Sequence, residues 1–101
     1  MAVECYVEDS VIDSFRSNLK EAKGGNRDAA EKLMTDINIW NNSGDSCRDQ
    51  QTPIVADALG NDGFEIVDQH GGEYEGRVHG DQPFLQLNEA TQRVIDRVRA
   101  K

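Results

Sequence analysis

Residues Gly60–Leu87 read GNDGFEIVDQHGGEYEGRVHGDQPFLQL. Phe64 and Ile66 alternate with Glu65 and Asp68, His70-Gly71-Gly72 offers a turn, and Tyr74, Gly76 and Val78 keep the two-residue period on a returning segment. Such alternation marks strands with one buried and one wet face, so the stretch predicts a β-hairpin. Gly80-Asp81-Gln82-Pro83 supplies a second turn, and Phe84 to Leu87 completes an antiparallel meander. One face of that sheet needs cover, and the segments on either side carry helical periods that can supply it.

Upstream, Val11, Ile12, Phe15, Leu19 and Ala22 recur at helical spacing behind a capping-box pair, Ser10 and Asp13, and Gly24-Gly25 ends that helix. Asn26 is placed to cap a second helix with an apolar stripe of Ala29, Ala30, Leu33, Met34, Ile37 and Trp40. Asn41 to Gln51 reads as a surface loop, and Thr52-Pro53 as the start of a short third helix burying Ile54, Val55, Ala58 and Leu59. Asn88 caps a final helix in which Ala90, Thr91, Val94, Ile95 and Val98 share a face; a strand over Gln92–Val98 competes, but length and cap favour the helix. Val3, Cys5 and Val7 alternate at the start and predict a short strand. The expected fold class is α+β, three to four helices packed on one face of a small antiparallel sheet. It forms a single domain over 1–101: a helical part at about 8–60, a hairpin or meander at about 63–87 and a C-terminal helix at about 89–100.

A chain of 101 residues supports one domain with a modest core. Its 37% hydrophobic content is enough for folding, yet low enough to suggest marginal stability or an oligomer. The net charge of -8 repels phosphate backbones, which disfavours direct nucleic-acid binding and leaves solubility or a basic protein partner as its meaning. Two cysteines, Cys5 and Cys47, are too few to replace a core with cross-links, and reduced thiols in a cytoplasmic protein are expected. Neither a signal segment nor a membrane span is expected from the pattern.

Site chemistry is sparse. His70, His79 and the two cysteines match no compact zinc spacing, and the Asn61-Asp62-Gly63 segment fails the calcium-loop pattern, because aligning its glycine puts Ala58 first and Glu65 where an apolar residue belongs. No metal or other cofactor is expected. Asp68, His70, Glu73, Glu75 and His79 lie near one hairpin and could pair a carboxylate with an imidazole. A metal-dependent hydrolase on that basis is the least favoured function, since no phosphate loop or nucleophile motif accompanies them.

The denser signal is acidic. Asp57, Asp62, Glu65, Asp68, Glu73, Glu75 and Asp81 stand against Arg77 alone between Asp57 and Asp81, with Tyr74 among them as an aromatic anchor. Projected from one hairpin face, these residues would steer a basic surface and mimic part of a phosphate backbone. The competing reading is a solvated face whose charges prevent edge-to-edge pairing. Trp40, at the end of the second helix, reads as structural.

Two resemblances follow. The junction GNRDAAEKLM, from Gly25 to Met34, is similar to the helix-turn-helix joints of tetratricopeptide-type repeats, but arrays of that kind need about three stacked units and the sequence holds a single joint. In size, acidity and absence of catalytic motifs the chain resembles small inhibitors of phages and mobile elements, such as anti-CRISPR proteins, and bacterial immunity proteins that block nuclease toxins. That likeness is one of type and rests on no shared motif. It implies a non-enzymatic inhibitor whose acidic hairpin occupies the nucleic-acid-binding surface of a nuclease complex. The alternative is a structural or adaptor subunit that forms a homo-oligomer through the helical hairpin Val11–Trp40.

Overall fold

The computed structural model describes residues 5–43, 47–69 and 82–101. Among them the order is α1 (Asp9–Lys23), α2 (Arg27–Asn41), α3 (Arg48–Leu59), a 3-10 turn (Gly60–Asp62), β1 (Phe64–Gln69), β2 (Gln82–Leu87) and α4 (Glu89–Arg99). The α+β class holds, with helices packed on a small antiparallel sheet.

Phe15, Leu19 and Ala22 of α1 are buried one turn apart, and α2 answers with Ala29, Ala30, Leu33, Ile37 and Trp40. Gly25, at φ 103, reverses the chain between them, and Asn26 caps α2 by accepting from the Ala29 N–H at 3.1 Å. Helix α4 packs on this pair through Thr91, Ile95 and Val98, its start capped by Asn88 on the Thr91 N–H at 2.9 Å. Phe15 joins the layers, with edge-on rings of Trp40 at 5.8 Å and Phe64 at 5.7 Å. Helix α3 lies on the sheet and buries Thr52, Val55, Ala56 and Leu59.

Strand β1 pairs antiparallel with β2, Phe64 opposite Leu87 and Ile66 opposite Leu85. This register corrects the meander, in which a first and third strand would run parallel and unpaired. The observed pairing puts Phe64, Ile66, Leu85 and Leu87 on one face, as burial requires. The middle strand expected at Tyr74–Val78 and the turns around it lie outside the described residues.

Five other expectations are corrected. Ser10 lies inside α1, and Glu8 occupies the N-cap without a side-chain bond. Residues 5–8 form no strand: the Tyr6 carbonyl accepts from Gln51 Nε2 at 3.0 Å, and Cys5 is joined to Cys47 by a disulfide with Cα atoms 5.4 Å apart. These bonds fasten the segment to the start of α3, and the disulfide replaces the expected reduced thiols. The loop expected up to Gln51 is helical from Arg48, which puts Pro53 inside α3. The N–H that proline lacks would have served the Asp49 carbonyl on the exposed side, where water can take its place. Finally, Thr52 enters the core, donating to the Arg48 carbonyl and accepting from Trp40 Nε1, both at 2.9 Å, and this turns Ile54 and Ala58 outward.

Candidate protein-binding site

The described part of the acidic stretch falls on α3, the 3-10 turn and β1. Asp49, Asp57, Asp62, Glu65 and Asp68 stand there against Arg48 alone, and Arg48 stacks its guanidinium 3.7 Å above the Trp40 ring. Residues 82–101 carry the opposite balance, Arg93, Arg97, Arg99 and Lys101 against Glu89 and Asp96. The described molecule is therefore polarised between its α3–β1 side and its last helix.

Individual carboxylates differ. Asp57 is exposed on α3, as is Asp49 near its start. Glu65 is exposed on β1 and accepts from Gln86 Nε2 across the ladder at 3.3 Å. Asp62 is engaged internally: Arg16 Nε donates to its Oδ2 at 3.2 Å, Lys23 Nζ donates to its carbonyl at 3.0 Å, and Arg16 also reaches the Ala58 carbonyl at 3.3 Å. These bonds staple α1 to the α3–β1 connection, and Asp62 adds less outward field than Asp57 or Glu65. Asp68 sits on β1 opposite Pro83. Glu73, Tyr74, Glu75 and Asp81, together with His70 and His79, lie outside the described residues. The structure thus brings Asp57, Asp62, Glu65 and Asp68 onto adjoining elements.

The sheet has two unlike edges. On β2, the Leu85 N–H donates to Asn41 Oδ1 and the Leu85 carbonyl accepts from Asn41 Nδ2, both at 2.8 Å. Both backbone groups of Leu85 therefore point away from β1, which makes Leu85–Ile66 a non-hydrogen-bonded pair. The same alternation turns position 83 outward, where proline costs the ladder no bond. Asn41 and Pro83 together close the β2 edge. On β1, the N–H and C=O of Ile66 point outward as well, and no described residue bonds them. Ile66 is 36% exposed. The alternation of FEIVDQ predicts the strand but not its edge position; Pro83, expected in a turn, lies instead in β2, which starts at Gln82.

Trp40 is buried and structural, held by Phe15, Thr52 and Arg48. Two surface cavities of about 370 and 420 Å³ share Val11, Trp40 and Arg48, with exposed Tyr6 lining the first and exposed Ile39 the second. The α1–α2 stripe needed for assembly through the helical hairpin is mostly buried within the chain, against α4, α3 and the sheet. Among the described residues no helix is long and apolar enough to cross a membrane.

Comparison with protein-family models, with curated proteins and with solved structures finds no match.

Proposed function

We propose that this protein is a non-enzymatic binding inhibitor whose α3–β1 side engages a basic, nucleic-acid-binding surface of a partner protein. The observation that carries the reading is the carboxylate excess of α3, the 3-10 turn and β1, with Asp49, Asp57 and Glu65 exposed, Arg48 stacked on Trp40, and Arg16 and Lys23 of α1 held at Asp62. Such a field raises encounter rates with a basic surface and excludes an acidic one. Inhibition follows by occupancy: a surface holding these carboxylates cannot hold phosphates as well. A phage or mobile-element inhibitor of a nuclease complex fits this chemistry.

The test is a pull-down with tagged protein, run beside an Asp49→Lys/Asp57→Lys/Glu65→Lys variant, at low and high salt and with duplex DNA as competitor. The wild type should retain a basic nucleic-acid-binding protein that salt and DNA both release, and the variant should not. Equal retention by the two proteins would remove the acidic side from the mechanism.

A further inference from the structure

From the unequal sheet edges we infer that β1 is a docking edge for an extended basic segment of the partner, which joins the sheet as a third strand. This deepens the reading above by naming the form in which the basic partner is held.

Gly63 accepts from the Asn88 N–H at 2.7 Å, so positions 63, 65, 67 and 69 face β2 and positions 64, 66 and 68 face outward. An incoming strand would find Ile66 offering one donor and one acceptor, flanked by Phe64 and Asp68. Open edges of this kind are where peptides add to sheets, with backbone bonds supplying affinity and alternate side chains supplying choice. The opposite edge cannot serve, since Asn41 occupies Leu85 and Pro83 lacks a donor.

Charge decides the occupant. Glu65 is exposed on β1 itself, and Asp49 and Asp57 are exposed on α3, which packs on the sheet. A second copy would bring the same carboxylates against one another, whereas a segment alternating apolar and basic residues would set its apolar side chains beside Ile66 and its cations toward Glu65. The partner chemistry is thus an extended basic strand, not a basic helix.

The experiment titrates the intact protein with an eight-residue peptide alternating valine and lysine, followed by backbone NMR. Two control peptides accompany it, one N-methylated at the alternate amides meant to face β1 and one with glutamate for lysine. The expected result is protection of the Ile66 amide from exchange, at least tenfold weaker binding of the N-methylated peptide, and no binding of the acidic one. An Ile66→Pro variant removes the outward donor just as Pro83 does on β2, and it should weaken the lysine peptide similarly. The peptide comparison stands even if that variant misfolds. Equal binding of the methylated and unmethylated peptides would overturn strand addition while leaving the charge reading intact; undiminished binding to the triple-lysine variant would instead strike the charge reading. Absence of binding by the lysine peptide at low salt, or a dimer whose Ile66 amide is protected without peptide, also overturns the inference.

Discussion

Gly63 leaves no room for a side chain. Its φ of 118 lies where side chains are disfavoured, and a Cβ there would stand 2.3 Å from Thr91 Oγ1 on buried ground. Gly63→Ala should therefore cost about 2–3 kcal/mol from strain and overlap together, read as a lower urea midpoint at unchanged slope. Asn41 acts at the same scale by different physics. Its amide serves both backbone groups of Leu85, which is almost wholly buried. Asn41→Ala leaves a donor and an acceptor without partners and should cost about 2 kcal/mol or more, whereas an exposed neighbour such as Asn42→Ala should change stability by under about 0.5 kcal/mol. Equal effects at the two asparagines would mean that water serves Leu85 as well as Asn41 does.

The elements are held by unlike means. Helices α1, α2 and α4 form one apolar unit, whereas the segment before α1 depends on the Cys5–Cys47 disulfide, which spans 42 positions, and on the Gln51–Tyr6 bond. Closing a loop of that size in the unfolded chain is worth about 2–4 kcal/mol, so reduction or Cys5→Ser should lower the thermal midpoint by about 10–20 °C for a domain of this length. Calorimetry with and without reductant measures it. A midpoint unmoved by reductant would place the thiols apart in solution. Helix α3 carries the least regular design, with a proline inside and a threonine in the core, and its position rests on Cys47, Arg48 and Thr52 meeting Cys5 and Trp40.

At the scale of the whole molecule, charge is divided by side. The described α3–β1 side is acidic and the last helix basic, so the net charge of -8 understates the local field at β1. Reversing Asp57 and Glu65 to lysine should leave stability within about 0.5 kcal/mol, since both are exposed. Association with the lysine peptide should slow at low salt, and the wild-type rate should fall toward the variant's as the Debye length shortens to about 8 Å near physiological ionic strength. Stopped-flow rates against salt give both slopes, and parallel slopes would show that these carboxylates do not steer.

By itself the sequence determined the parts whose physics is local. The stripes of α1, α2 and α4 follow from apolar spacing, the caps at Asn26 and Asn88 from a side-chain oxygen placed three residues before an unserved N–H, and β1 from alternation at Phe64 and Ile66. The carboxylate run was legible too, because charge is written residue by residue. Tertiary structure decided what depends on distant partners. Pairing of β1 with β2 follows from a register that buries Leu85 and Leu87. The early start of α3 follows from Arg48 meeting Trp40, and the engagement of Asp62 from Arg16 lying 46 positions away. The two edges of the sheet differ because Asn41, 44 positions from Leu85, closes the β2 edge, whereas no described residue bonds the outward groups of Ile66 on β1. Spacing along a chain reports which face a residue occupies, but a hydrogen bond between distant segments is chosen by the packing that brings them together.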